Sequence, residues 1–399
     1  MNPTNLDWAQ LVHSDGQLNR ERVTHIEIIY TGLHGQSVQR FRLKDGQSGQ
    51  SGQSGQSYIY KPLPPGDERF REIKAYVQIM PLLAELVHAP TYPALIAYAA
   101  PAEQLAYWQE SSPSFAEPIA SFVHPACWMI AEDSGVLDHQ HSSAVLEQVI
   151  EQMACWHTVG EHDLTALPQS GQKPPLHKAA ASLFQRWEQV QAVIQEVVAP
   201  AQAFVERSDE LFASRTARLF PLSAQLLSAL HSDLRAATER IGAQRSVLLH
   251  GDLHAGNYGI NPHGTMIVLD WEHSHAGSLF WDVYHLLDLS HPLFPRLMTA
   301  ELRHRLLERY WIASSTAITA ASWQRHAVVL AEYADFAGFQ KDYVLYAILY
   351  SLWMLLLIRS DLRQQPPIWP HALLLAQQYE TQQHLGQCLV AWQAKRTEI

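Results

Sequence analysis

The segment of this chain best equipped for chemistry runs from His250 to Asn257 and has the sequence His-Gly-Asp-Leu-His-Ala-Gly-Asn. Within it, Asp252 and Asn257 are five residues apart, and Asp270 follows thirteen residues after Asn257, at the end of the apolar stretch 266–269. Transfer of a phosphoryl group from a Mg-nucleotide needs a carboxylate that orients the attacking hydroxyl, and oxygen ligands that hold Mg²⁺ on the phosphates. We therefore predict that Asp252 is catalytic and that Asn257 and Asp270 bind the metal.

The same spacing occurs in protein kinases, whose catalytic loop has an Asp and, five residues later, a metal-binding Asn, followed by a strand-end Asp that binds Mg²⁺. In this chain Gly251 stands where kinases have Arg. That glycine, the strand 247–249 before it and the Asp-Trp-Glu at 270–272 resemble the aminoglycoside phosphotransferase and choline kinase family. The resemblance implies a two-lobed α+β fold of the protein-kinase type, with a small β-rich N-terminal lobe and a larger, mainly helical C-terminal lobe.

The resemblance also implies a function, namely ATP- and Mg²⁺-dependent phosphorylation of a hydroxyl group on a small molecule. Relatives act on aminoglycosides, choline, sugars and other metabolites, so the family does not identify the acceptor. Two other classes stay open. One is a nucleotide-binding pseudokinase module that regulates a partner, and the other is a metal-dependent hydrolase built on the His and Asp residues. Turnover on an acceptor would favour the kinase, and bound zinc or iron would favour the hydrolase.

Two alternating, β-branched segments near the start of the chain, Val23–Tyr30 and Val38–Leu43, predict a β-hairpin. Kinase-like nucleotide folds begin with such a hairpin, and its glycine-containing tip lies over the phosphates because backbone without side chains can approach them closely. By this resemblance Gly32 and Gly35 are candidate nucleotide-binding residues.

Four tandem Gly-Gln-Ser units fill residues 46–57, and we expect them to form a flexible, solvated loop. The next residues, 58–61, predict a short strand that ends in Lys61, and a helix carrying Glu72 follows. In kinase-like lobes a strand lysine holds the nucleotide phosphates and a helix carboxylate positions it, which implies these two roles for Lys61 and Glu72. Pro62 should end the hydrogen bonding of the strand early.

The predicted N-terminal lobe spans residues 1–133 and the predicted C-terminal lobe spans residues 134–399. Apolar residues recur at helical spacing in 143–157, which predicts a helix with one buried face. The patterns of 160–245 and 300–395 are also mostly helical. The longest apolar run, within the second of these segments, has sixteen residues, which is short for a bilayer span and predicts a buried core helix.

Three further residues, in or near the motif, have structural or open roles. His250 is expected to fix the loop by hydrogen bonding. Asp282 matches by position an Asp that, in the family, ties the catalytic loop to the following helix, so we predict a structural role for it. Glu272 could face the metal, face a cationic substrate or cap a turn, and the sequence leaves these alternatives open.

Composition and charge restrict the classes of partner and compartment. With 28 basic and 39 acidic residues the formal charge is −11, which argues against nucleic acid or an anionic membrane and favours a cationic acceptor. The three cysteines have no metal-binding or disulfide spacing, and the first twenty residues lack the features of a signal peptide. We therefore expect a cytoplasmic protein. The oligomeric state is not predicted.

Overall fold

The structure is a computed structural model. It describes residues 6–31, 37–44, 56–63, 71–86, 88–111, 119–139, 142–159, 164–165, 167–168, 171, 173–205, 222–296, 298–320, 330 and 332–397. Gly32 and Gly35, and residues 46–55 of the Gly-Gln-Ser repeat, lie outside these residues.

Contacts divide the chain into two compact units. The first comprises Met1–Glu85, Pro90–Asp138 and Gly259–Glu272, and the second comprises Leu86–Ala89, His139–Tyr258 and His273–Ile399. The predicted lobe boundary after residue 133 stays a prediction. The α+β prediction, with a β-rich N-terminal part and a mainly helical C-terminal part, is confirmed.

The first unit contains a six-stranded sheet with the order β1-β2-β3-β6-β4-β5, in which only β4 and β5 are parallel. The strands are β1 (Val23–Thr31), β2 (Ser37–Leu43), β3 (Ser57–Pro62), β4 (Leu95–Ala100), β5 (Ala120–Val123) and β6 (Trp128–Glu132). Val23 pairs with Leu43 and Thr31 with Ser37, which confirms the predicted hairpin.

The side chains of strand β3 alternate between the buried core and the other face of the sheet. Tyr58 and Tyr60 are buried, whereas Ile59 and Lys61 are half-buried. Successive side chains of a strand point to opposite faces of the sheet, which accounts for this alternation. The buried cluster beneath the sheet contains Trp8, Leu11, Phe41, Tyr58, Tyr60, Trp128 and Ile130. Lys61 therefore points away from the tyrosine face.

The expectation that Pro62 ends the hydrogen bonding of β3 early is wrong. Pro62 pairs with Trp128 of β6, and the next N–H, that of Leu63, donates to Cys127 O at 2.9 Å. A proline removes only its own donor, so the ladder continues past it.

Helices form the remaining elements. In the first unit they are α1 (Arg71–Lys74), a π-helical turn (Ala75–Ile79), α2 (Met80–Ala84) and α3 (Ala102–Ser111). In the second unit they are α4 (Ser143–Trp156), α5 (Leu176–Gln185), α6 (Trp187–Val205), α7 (Ala224–Gly242), α8 (Phe280–Leu287), α9 (Ala300–Ala320), α10 (Phe336–Asp361) and α11 (His371–Thr397).

Two of these helices follow closely from sequence. Helix α4 begins where the Ser142 hydroxyl accepts from Val145 N at 3.4 Å, and its predicted apolar positions are buried. In the described part of the chain, α10 alone is long and apolar enough to cross a membrane, but 72% of its most apolar window is buried within the protein. The prediction of a buried core helix is confirmed, and Tyr343, Tyr346 and Tyr350 belong to that core.

Four short strands precede or follow the predicted catalytic loop along the chain. Strand β7 (Val247–Leu249) pairs with β10 (His275–Gly277), and β8 (Tyr258–Ile260) pairs with β9 (Met266–Val268). The loop 250–257 connects β7 to β8, and Asp270 follows β9 after one intervening residue, Leu269.

Candidate active site

The backbone of the predicted catalytic loop needs glycine at one position. Gly251 has φ +87°, and a Cβ atom on it would lie 2.1 Å from His273 O and 3.0 Å from the His275 ring. A side chain at Gly251 is therefore incompatible with this arrangement, both in backbone conformation and in space. The indole N–H of Trp281 donates to Gly251 O at 3.0 Å, which also fixes the carbonyl group of this glycine.

Asp282 holds the start of the loop. Its carboxylate accepts hydrogen bonds from His250 N at 2.7 Å, Gly251 N at 2.9 Å and Trp156 Nε1 at 3.1 Å, and the side chain is fully buried. Burial alone would raise the pKa of Asp282, but the hydrogen bond from His157 and the donors of the loop lower it. The predicted structural role of Asp282 is confirmed.

Asp252 and Asn257 lie together in the second unit. The Asn257 amide N–H donates to Asp252 O at 2.8 Å, so the amide oxygen of Asn257 is turned away from this bond and can serve as a ligand. His250 Nδ1 accepts from Asp252 N at 3.3 Å, which supports the expected loop-fixing role. The side chain of Asp252 is 23% exposed, so its carboxylate can meet a substrate.

Two histidines flank the Asp252 carboxylate. His254 Nε2 lies 3.6 Å from Asp252 Oδ2, and His285 Nδ1 lies 3.8 Å from Asp252 Oδ1. His285 is 1% exposed, and among the described residues neither of its ring nitrogens has a hydrogen-bond partner. Burial lowers the pKa of His285 well below its ordinary value, so this ring is neutral at pH 7. Sequence reasoning did not identify His285, because its helix position gives no sign of what it faces.

The first unit brings together three of the predicted residues. Lys61 Nζ, from β3, lies 2.5 Å from a carboxylate oxygen of Glu72 on α1 and 3.3 Å from Asp270 Oδ1. Burial lowers the pKa of Lys61, but the attraction of Asp270 and Glu72 outweighs it, and the pKa lies well above the ordinary value. The lysine is therefore charged and forms an ion pair with the helix carboxylate of Glu72, and its part in holding a nucleotide stays a prediction.

Glu272 joins this cluster. One ligand oxygen from each of Glu72, Asp270 and Glu272 lies within 4.8 Å of the others. Burial and the Asp270 charge raise the pKa of Glu272. Three carboxylates around one ammonium leave an excess of negative charge, and oxygen donors of this kind suit Mg²⁺. The Asp-x-Glu spacing at 270–272 was the sequence pattern that indicated Glu272. A glutamate that caps a helical turn could have the same spacing, so the pattern did not decide between the two roles.

Asp270 has an unusual backbone. Its φ of +59° places it in the left-handed region, which non-glycine residues enter at a cost of about 1–3 kcal/mol. The three-residue helical turn Trp271–His273 follows immediately. Asp270 and Glu272 both raise the pKa of Lys61 through the attraction of their charges.

The carboxylate of Asp133, at the predicted lobe boundary, is hydrogen-bonded to residues of strands β2 and β3. Asp133 accepts from Arg40 Nε at 2.6 Å, from Ser57 Oγ at 2.6 Å and from Gly135 N at 2.9 Å. Burial would raise the pKa of Asp133, but these donors lower it. The predicted lobe boundary lies here, but no sequence pattern indicated the contact with Arg40, which is 93 residues away.

Comparisons with known proteins give one family match. A model described as the phosphotransferase enzyme family matches residues 31–327. Among solved structures, an aminoglycoside phosphotransferase from Alicyclobacillus acidocaldarius subsp. acidocaldarius is 12% identical with a TM-score of 0.48, covering 94% of this chain and 93% of that one. A choline kinase from Cryptosporidium parvum is 11% identical with a TM-score of 0.43, covering 98% and 93%. No curated protein matches.

Proposed function

Because this chain belongs to the phosphotransferase enzyme family, which its match over residues 31–327 shows, we propose that it transfers the γ-phosphoryl group of ATP to a hydroxyl of a small molecule. The family expected from the catalytic-loop motif is thereby confirmed. One observation carries the proposal. Lys61 is ion-paired to Glu72 and to Asp270, which is the arrangement that kinases use to hold nucleotide phosphates and their metal.

In the proposed nucleotide complex, Lys61 binds phosphate oxygens and Glu72 holds its ammonium in place. Gly32 and Gly35 are the proposed glycines over the phosphates. Asn257 and Asp270 are the proposed Mg²⁺ ligands, with a neutral and a charged oxygen respectively. The ion, when bound, supplies positive charge that offsets the charge developing on the phosphoryl group.

Asp252 is the proposed catalytic residue for the acceptor. Its carboxylate orients the attacking hydroxyl, so that the hydroxyl oxygen forms a bond to the γ-phosphorus while the bond from that phosphorus to the ADP oxygen breaks. The hydroxyl proton passes to an Oδ atom of Asp252. Because phosphoryl transfer is loose, positioning of the hydroxyl contributes more than the basicity of the carboxylate.

Partner and compartment follow from the same proposal. The acceptor is a small molecule, and the net charge of −11 favours a cationic one over nucleic acid. No disulfide joins the described cysteines, Cys127, Cys155 and Cys388, which suits a reducing cytoplasm. The presence of both an ion-paired Lys61 and Asp252 supports an enzyme over a pseudokinase module.

The test compares the wild type with Asp252→Asn. Nucleotide binding is measured by calorimetry with Mg-ATP, and turnover is measured as acceptor-dependent ADP release over a panel of hydroxyl-bearing amines, sugars and aminoglycosides. We expect the variant to bind Mg-ATP like the wild type but to lose at least 100-fold in turnover. Asp15→Asn, an exposed carboxylate in the first unit, is the matched control.

Two outcomes would contradict the proposal. Mg-ATP binding without turnover on any acceptor would favour the pseudokinase module. Zinc or iron that copurifies with the protein and is lost in His250→Ala would favour a metal-dependent hydrolase.

A further inference from the structure

Lys173 lies on a segment that packs against the catalytic loop. A Cβ atom on Gly171 would lie 2.8 Å from the His275 ring and 3.1 Å from His273 O. These are the same two groups that a Cβ on Gly251 would meet. Gly171, two residues before Lys173, therefore lies beside the same groups as the peptide that precedes Asp252.

The residue after Lys173 is tied to the same peptide by a second route. Pro174 O accepts a hydrogen bond from the Tyr350 hydroxyl at 3.0 Å. The ring of Tyr350 contacts the ring of Trp281, with centroids 4.9 Å apart, and Trp281 donates to Gly251 O. Contacts on both sides of Lys173 thus fix its position relative to the loop.

The ammonium of Lys173 forms no ion pair with a carboxylate of the described residues. Asp252 and Asp361 both attract it, whereas burial lowers its pKa. Within the residues that the structure describes, no acceptor lies within hydrogen-bonding distance of this ammonium and no carboxylate lies within 4.0 Å. A half-buried ammonium without a close partner can bind an anion through a charge-assisted hydrogen bond.

A second, independent observation concerns the histidines beside Asp252. His285 is buried and, among the described residues, neither of its ring nitrogens has a partner, although one lies only 3.8 Å from Asp252. His254, also beside Asp252, stacks on His291 at 4.2 Å and on Phe294 at 5.1 Å. The Asp252 carboxylate is thus flanked by His285, a buried imidazole whose ring nitrogens have no hydrogen-bond partner among the described residues, and by His254, which stacks on two further rings.

We propose that the acceptor carries an oxyanion, a carboxylate, phosphate or sulfate group, which binds the ammonium of Lys173 while the acceptor hydroxyl meets Asp252. The proposal rests on the proposed function, since it takes Asp252 as the residue that receives the acceptor. Lys173 is in this view a specificity-determining residue. The negative charge of the whole chain favours a cationic acceptor at long range, but Lys173 acts at contact distance, where an acceptor ammonium beside it would be repelled.

The first experiment measures binding and does not depend on turnover. Matched triads that differ only in charge serve as probes: glucose, glucuronate and glucosamine, and glycerol, glycerate and 3-aminopropane-1,2-diol. Binding to the full-length protein is followed by ligand-detected NMR titration. We expect the anionic member of at least one triad to bind about 10-fold more tightly than its neutral partner. A neutral or cationic member that binds more tightly, or no binding of any anionic member, overturns the proposal.

The second experiment uses variants. Lys173→Met should abolish the preference for the anionic member, Lys173→Arg should retain it, and Lys178→Met, an exposed lysine on helix α5, should leave it unchanged. If turnover is detected, the ratio of kcat/KM for the anionic to the neutral member should fall about 10-fold in Lys173→Met. An equal fall for all members would mean that Lys173 binds the transferred phosphoryl group, which contradicts the proposal. Absence of acceptor-dependent ADP release in the wild type instead contradicts the proposed function, and the binding result stands separately.

Discussion

Replacement of Asp282 by Asn tests whether the catalytic loop depends on one buried carboxylate. The two oxygens of Asp282 accept from His250 N, Gly251 N and Trp156 Nε1 at 2.7, 2.9 and 3.1 Å. An Asn side chain keeps one oxygen and puts an NH₂ group where the other was. In either amide orientation, at least one buried backbone N–H of the loop then faces a donor.

The cost follows from these bonds. A hydrogen bond to a charged group contributes about 1.5–3 kcal/mol, and a buried donor left without an acceptor costs about 1–3 kcal/mol. We expect Asp282→Asn to destabilise the protein by roughly 3–5 kcal/mol, similar to other broken buried pairs. At about 2–4 °C for each kcal/mol, the unfolding midpoint should fall on the order of 10 °C.

The pH dependence has a definite sign. The folded-state pKa of Asp282 is lowered, so its stabilisation is present above the unfolded value of about 3.9 and is lost as the pH falls through the folded value. Asn does not titrate in this range. The difference in unfolding free energy between wild type and variant should therefore be largest near neutral pH and should shrink below about pH 4.

Urea unfolding followed by tryptophan fluorescence at several pH values measures both effects. Asp288→Asn is a matched control, because Asp288 is a fully buried carboxylate whose partners, Arg303 and Tyr343, lie outside the loop. Both variants should lose stability, but only Asp282→Asn should also lower kcat. An Asp282→Asn protein within 1 kcal/mol of wild type at pH 7, or a difference that grows on acidification, would refute the reasoning.

Two further substitutions address the loop and the nucleotide. Gly251→Ala should lower the free energy of unfolding by roughly 2–4 kcal/mol and should abolish most of the turnover, because it combines a left-handed backbone with a Cβ 2.1 Å from His273 O. Thermal unfolding measures the first effect. Turnover equal to that of the wild type would show that the loop moves freely. Lys61→Met should raise the Kd for Mg-ATP about 10-fold to 100-fold in calorimetry, because a charged contact to phosphate is lost. The control Lys44→Met, at an exposed lysine just after β2, should leave the Kd unchanged. Equal affinities of Lys61→Met and the wild type would show that Lys61 does not bind the nucleotide.

The parts of the site that could be predicted from sequence are those that depend on local order along the chain. The spacing of Asp252 and Asn257 defines a single loop, and the structure brings them together through Asn257 Nδ2 and Asp252 O. Lys61 and Glu72 were identified by a strand followed by a helix, and they form an ion pair. In each case a few intervening residues limit where the second side chain can lie.

The residues that escaped prediction depend on distant contacts or on unusual backbone. The sequence left three roles open for Glu272, and its place in the cluster with Glu72 and Asp270 accompanies a positive φ at Asp270, which no local pattern specifies for an aspartate. Lys173 is positioned by Tyr350, far along the chain, through the carbonyl of Pro174. The glycines at the hairpin tip, Gly32 and Gly35, stay predictions, since they lie outside the described residues.

The carboxylate of Asp133 has a consequence for engineering. It fixes Arg40 of β2 and Ser57 of β3, and Arg42 pairs directly with Ser57, so the two strand ends keep their register independently of what joins them. Doubling the length of a connecting segment raises its closure free energy by only about 0.6 kcal/mol. The interval between these strands is therefore a suitable graft point for an epitope, a fluorophore-labelled peptide or a small folded insert.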